Sequence, residues 1–165
     1  METKPVSNRM FSLIVLYDMH TKFLFSAVNG ISDKDANNRL KTKANHIAWL
    51  MGSLVQERFE TAKIFGINEK QAADELFKEH KGIEDNINYP SIAEFKKDLD
   101  KITPKLRDAL VTVGDEKLDK KFEMMPDMKM TYYELITFMT YREANIIGQI
   151  ALWRRLLGYE AMKYM

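Results

Sequence analysis

Cysteine is absent from the 165 residues, which excludes disulfides, thiolate metal ligands and a cysteine nucleophile and accords with a reducing, cytoplasmic setting. Glycine and proline are scarce, at seven and four, too few for the many turns of an all-β protein, so helices are expected to build the fold. An excess of one charge is missing as well: 25 Lys+Arg stand against 24 Asp+Glu, for a net charge of +1. So balanced a chain is not expected to seek nucleic acid or an anionic membrane surface. The lysines of residues 96–105 and 117–121 are interleaved with acids and do not change that. No charge-free run, residues 144–153 included, approaches the roughly 20 apolar residues of a membrane span. The apolar run at residues 11–17 is short, meets Asp18 and His20, and lacks a small-residue cleavage site, so no secretion signal is expected. What remains is a hydrophobic content of 45%, enough for the core of one domain covering residues 1–165.

Helical spacing fills most of the chain. Residues 6–29 place Met10, Leu13, Tyr17, His20, Leu24 and Ala27 on one 3-4 stripe, stopped by Asn29-Gly30. Ser32 caps a short polar turn of helix reaching about Leu40. A second long helix, residues 44–65, ends at Gly66 and carries His46, Leu50, Ser53, Glu57 and Ile64, with Trp49 and Leu54 beside them. Residues 67–90 read as a long connection with a short helix over 69–80, and such a connection lets the helices it joins run parallel. The third long helix, residues 92–113, opens with a capping box of Ser91 and Glu94 and carries Ile92, Phe95, Leu99, Ile102, Leu106, Leu110 and Val113. Pro104 is predicted to kink or split it near Thr103. Residues 114–130 read as a charged loop.

The fourth long helix, residues 131–158, starts with a capping box of Thr131 and Glu134 and stops at Gly158. It spans about 39 Å at 1.5 Å per residue. Its inward stripe is read as Leu135, Phe138, Arg142, Asn145, Gln149, Leu152 and Leu156, with Ile146 and Trp153 alongside. That stripe is apolar at both ends and polar in the middle. The expected fold is an all-α, four-helix bundle with a long crossover connection, and the polar centre of its last helix is where such proteins build ligand and metal sites.

The segments NHIAWLMGSL at residues 45–54 and EANIIGQIALWRRLLG at residues 143–158, with the terminal YEAMKY, resemble the helix motifs of the DinB-like (YfiT-like) superfamily. Those motifs run approximately W-h-h-G-H-h and H-E-x-x-H-x-G-Q-h-x-x-h-R-R-h-h-G, where h is apolar. The likeness covers nearly the whole chain and implies a four-helix bundle, a homodimer, and a divalent metal held by three histidines in a thiol-dependent transferase or isomerase. Carried over by position, the three ligands fall on Ser53, Arg142 and Ile146. A neutral hydroxyl is a poor ligand, isoleucine has no donor atom, and a guanidinium repels a cation. No metal and no cofactor are therefore expected. The resemblance also leaves Gly148 as a residue for close helix approach and the Arg154-Arg155 pair as a solvated helix end.

Arg142 carries two readings. It is a structural ion pair, with Glu57 as first partner and Asp18 or Glu143 as alternatives, or it is a positive centre that receives a ligand carboxylate or phosphate. His46 and His20 lie on inward stripes without a spaced carboxylate, which reads as hydrogen-bonded core or pocket-rim histidine, not as a metal site. The resulting expectation is a protein without metal catalysis that binds a small anionic or amphipathic molecule between helices, around Ser53, Arg142, Ile146 and Gln149. His46, Glu57, Trp153 and His20 are the further candidates. One rival is an S-transferase or isomerase with a displaced metal; another is a structural or interaction dimer whose former pocket is filled by Trp153, Met51 and the Arg142 pair.

Overall fold

In the computed structural model, which describes residues 4–125 and 127–164, the chain is all-α apart from one hairpin. The helices are α1 (Phe11–Val28), α2 (Asp33–Ala36), α3 (Ile47–Ile64), α4 (Asp74–Phe77), α5 (Ile92–Thr112), α6 (Asp115–Leu118) and α7 (Tyr132–Leu156). Strands β1 (Lys121–Met125) and β2 (Met128–Thr131) pair antiparallel between α6 and α7. The charged loop expected at residues 114–130 is thus a helical turn plus a hairpin; Pro126 lies outside the described residues. Phe122 stacks on Tyr132 with centroids 5.1 Å apart, which ties the hairpin to the start of α7.

Local chemistry sets the helix ends. Ser91 and Thr131 each accept from the backbone N–H three residues on, and Glu94 and Glu134 reach back to the cap N–H, so both capping boxes form. Gly30, Gly66 and Gly158 take positive φ of 74°, 81° and 87° just beyond α1, α3 and α7, the conformation that glycine adopts without a Cβ penalty. α5 runs through Pro104 without a break. The proline ring is solvent-exposed, and the Asp100 carbonyl that loses its donor sits on an exposed residue where water can serve it.

The four long helices pack on one core. The expected stripes of α1 and α5 are buried at every position, from Met10 to Ala27 and from Ile92 to Val113. α1 and α5 run antiparallel, tied by Tyr17 Oη donating to the Thr103 carbonyl at 3.0 Å and by Asp18 with Arg107. α3 and α7 also run antiparallel, whereas α7 lies parallel to α1, its Arg154 guanidinium donating to the carbonyls of Ala27 and Asn29. α3 and α5 run parallel, because residues 65–91 carry the chain back along their length. That connection is pinned by buried side chains. Gln71 donates to the Gly52 carbonyl at 3.2 Å and to Gln56 at 2.6 Å, and Gln56 donates to Asp74 at 2.9 Å. By length and composition the stretch Asn8–Val28 is apolar enough to cross a membrane, yet its inward residues pack on α5 and α7.

α3, not α7, is the central helix. Nearly every residue from Ile47 to Ala62 is buried, Trp49, Ser53 and Glu60 being the partly open ones, as expected of a helix enclosed on all sides. α7 is half open, and its inward line is Leu135, Ile136, Glu143, Ile146, Ile147, Ile150, Trp153 and Arg154. Of the stripe expected from the sequence, Leu135, Ile146 and Trp153 are buried, while Phe138, Leu152 and Leu156 are exposed, Leu152 by 60%. The true apolar face is rotated by about one residue, some 100° on a helix of 3.6 residues per turn.

Gly52 shows how closely the connection seats. A Cβ there would fall 2.1 Å from the end of the Phe77 ring, which is itself hemmed in by Trp49, Tyr89 and Phe95. Gly52→Ala should therefore cost about 1–3 kcal/mol of stability by overpacking and loosen residues 67–90, read as a lower urea midpoint and faster limited proteolysis of that connection.

Candidate functional site

Two antiparallel charge pairs bridge α3 and α7. Their sequences mirror one another: Glu57-Arg58 on α3 faces Arg142-Glu143 on α7. Adjacent residues on a helix diverge by about 100°, so one pair turns inward and the other turns to the outside of the α3–α7 seam.

The inward pair is Arg58 with Glu143. Arg58 is 1% exposed and Glu143 5%. Arg58 Nε donates to Glu143 Oε1 at 2.6 Å and Nη2 to Oε2 at 3.0 Å, while Nη1 donates to the hydroxyls of Thr21 and Thr103, each at 2.9 Å. The guanidinium plane lies over the Tyr17 ring at 4.2 Å. Four of its five N–H groups are thereby used. Burial alone would raise the Glu143 carboxyl, but Arg58, with His20, holds it below the ordinary value. Glu143 is thus an ionised acceptor, and His20, with Nδ1 3.2 Å from Oε2, carries its proton on that nitrogen. Burial also pushes the Tyr17 phenol up to about 12, so it stays a donor.

The outward pair is Arg142 with Glu57. Nη2 lies 2.5 Å from Oε1. Glu57 is 9% exposed, and burial pushes its carboxyl up to about 7 against the pull of Arg142. Around this pair runs a groove in two adjoining parts that share Trp49 and Arg142. The inner part, about 270 Å³, is walled by Ser53, Gln56, Glu57, Glu60, Phe77 and residues 80–82. The outer part, about 350 Å³, is walled by Asn45, Phe138, Tyr141, Asn145, Ile146 and Gln149. The outer part lies at the lower end of the range of small-molecule clefts, about 300–1,000 Å³, and the inner part just below it. Three buried polar atoms on residues of this groove have no partner among the described residues: Trp49 Nε1, Glu57 Oε2 and Arg142 Nε.

The structure therefore brings Ser53, Glu57, Arg142, Ile146 and Gln149 to one groove, with Gln149 held by its own donation to Asn145 at 2.7 Å. It keeps three candidates out. His46 is the N-cap of α3, its Nδ1 accepting from the Trp49 backbone N–H at 3.1 Å, and it packs edge-on against Tyr89. His20 is spent on Glu143 in the core, and Trp153 is a buried core residue facing away from the groove walls. Two scaffold expectations change too. Gly148 is exposed, with nothing within 4 Å of a Cβ built there, so it serves no close approach. Arg154 is buried at the C-terminal end of α1, where its charge complements the helix dipole.

Among the described residues no group of three His, Cys, Asp or Glu is placed to share a metal ion. Arg58 was missed by sequence reasoning, although the line Met51, Leu54, Arg58, Ala62 is a 3-4 stripe whose other members are all apolar. Trp49 was read as flanking the stripe; it is a groove wall. Set against protein-family models, curated proteins and solved structures, the chain matches none.

Two outcomes test this assignment of roles. Arg58→Met, which strands Glu143 in the core, should lose about 3–5 kcal/mol, while Arg58→Met with Glu143→Leu should recover a large part of it, as read by urea denaturation. Burial pulls the His46 imidazole down to about 4; protonation there would convert the capping acceptor into a donor. The neutral form's contribution is present above the unfolded value of about 6.5 and is lost as pH falls towards 4. The melting temperature should drop through that window, and His46→Asn, which caps equally well, should flatten the drop.

Proposed function

We propose that this is a four-helix bundle of DinB-like architecture, with long crossover connections, that works without the superfamily's metal and binds a small amphipathic carboxylate in the groove between α3 and α7. The single observation that carries the reading is the set of buried polar atoms without a partner among the described residues, Trp49 Nε1, Arg142 Nε and Glu57 Oε2, on residues walling a groove that mixes the apolar side chains of Leu50, Phe77, Phe138, Tyr141 and Ile146 with polar ones. An unmade hydrogen bond at a buried group is costly, so such atoms mark a place where a bound molecule supplies what the fold does not. Arg142 gives the anionic end a charged donor, Trp49 gives it a second, and Phe138, Tyr141 and Ile146 take the apolar body.

The absence of a metal follows from the donor chemistry of Ser53, Arg142 and Ile146 at the positions where the resemblance puts three histidines. Pairing of two copies is the second part of the proposal, supported by the exposed apolar row Phe11, Val15 and Met19 on one face of α1.

Fluorescence of Trp49, isolated by Trp153→Phe, tests the groove. Titration with phenylacetate should give a saturable change, and Arg142→Gln should weaken the affinity about tenfold or more, the size expected for a charge-assisted hydrogen bond. Equal affinity in the variant would move the site elsewhere.

A further inference from the structure

Three arginine–carboxylate pairs join the long helices among the described residues, and one of them is incomplete. Arginine presents Nε–H and one Nη–H on the same edge, matched to the two oxygens of a carboxylate. Arg58 uses both arms on Glu143, at 2.6 and 3.0 Å. Arg107 uses both on Asp18, at 2.8 and 2.9 Å. Arg142 reaches Glu57 through Nη2 and Oε1 alone, which leaves its Nε and the second carboxylate oxygen buried and open. The indole N–H of Trp49, on the same groove, is open as well.

A ligand carboxylate fits two of these three atoms and is opposed by the third. All three residues line the inner part of the groove, and a carboxylate that accepted from Arg142 Nε and from Trp49 Nε1 there would meet Glu57 Oε2 oxygen to oxygen. One proton removes the conflict. Resting on the groove reading above, we infer that the site takes its ligand's carboxylate together with one proton, drawn from solvent and held between a ligand oxygen and Glu57 Oε2. No bond to the ligand is made or broken; Glu57 gains an O–H that donates to the ligand, and the charge entering the groove sums to zero.

The surroundings favour that exchange. Burial raises the Glu57 carboxyl, and Glu143 and Glu60 oppose the pull of Arg142 upon it. The charged and titratable groups that face Glu57 are Arg142 and Glu143 from α7, Arg58 and Glu60 from α3, Tyr17 from α1, and His80 and Lys81 from the connection. α5 presents Leu106 and Leu110 there, which keep that side dry. On its other side Glu57 borders a small recess of about 20 Å³, room for about one water, which gives the carboxyl little space to swing away from the groove.

Calorimetric titration of the whole protein with phenylacetate and with phenylacetamide, between pH 6 and 8.5 in two buffers of different ionisation enthalpy, tests the inference. The acid should lose about tenfold in affinity per pH unit above 7, with proton uptake approaching one per site. The amide, which brings its own N–H for Oε2, should show no such loss. Glu57→Gln, with an N–H in place of the shared proton, should bind the acid without pH dependence and without proton uptake. Binding of the acid with constant affinity across this range, or the same slope in Glu57→Gln, overturns the inference and leaves the groove assignment standing. Failure of both probes to bind at every pH overturns the groove assignment, and this inference with it.

Discussion

The fork between Arg58 and Glu143 constrains everything around it. Two charges withdrawn from water carry a desolvation cost of several kcal/mol each, repaid only when geometry and hydrogen bonding are nearly complete. Completion here draws on all four long helices: Thr21 and Tyr17 from α1, Arg58 from α3, Thr103 from α5 and Glu143 from α7. A shift of any one of them strands a buried donor or acceptor. The fork is weak as a source of net stability and strong as a register mark, since no neighbouring alignment of the helices satisfies it.

The outer pair inherits its position from the inner one. With Arg58 and Glu143 fixed inward, Glu57 and Arg142 must emerge on the same seam about 100° round each helix, facing each other with signs reversed. A slip that exchanged partners would set Arg58 beside Arg142 and Glu57 beside Glu143, and like-charge contact rules that out. The inner fork is sealed and so must close both its arms. The outer pair borders the groove, where one arm can stay open at lower cost, and the consequence is a carboxyl whose proton affinity sits near neutrality.

How far the sequence could be read followed from how cleanly each helix separates apolar from polar faces. α5 carries an unmixed stripe; α1 has His20 within its stripe and a second, exposed apolar row at Phe11, Val15 and Met19, yet each expected position of both helices, from Met10 to Ala27 and from Ile92 to Val113, is buried. The capping boxes at Ser91 and Thr131 were legible because three-residue spacing is a local property of the chain. α7 misled because it has apolar residues on two faces: Phe138, Leu152 and Leu156 form a plausible stripe, but Ile136, Ile147 and Ile150 form the buried one, and only tertiary packing decides between them. His46 misled for a related reason. Helical periodicity extends back through it, yet its ring serves the backbone as a cap and packs against Tyr89 from a distant segment. The hairpin at Lys121–Thr131 was hidden by its charges, which lie on exposed strand faces. In the groove, the Glu57–Arg142 pair was legible from charge and spacing; Arg58 was not, because a charged residue on an apolar line reads as an interruption until its counter-charge is located.

The half-rotated α7 also bears on whether the groove is a closed relic. Filling a pocket between two helices needs bulky side chains directed into the seam from both sides. Trp153 and Met51 are bulky, but both belong to the core on the inward faces of α7 and α3, and the seam on the outer side is bordered by Ser53, Asn145 and Gln149, which are short or solvated. The Arg142 side chain spans this seam and is held by Glu57, so its charge is fixed in place at the groove and not free to fold back over it. A guanidinium tethered in this way, with one donor still open, is preorganised: the entropy of ordering a long side chain has already been spent by the ion pair, and a ligand that takes the open arm does not meet that cost again.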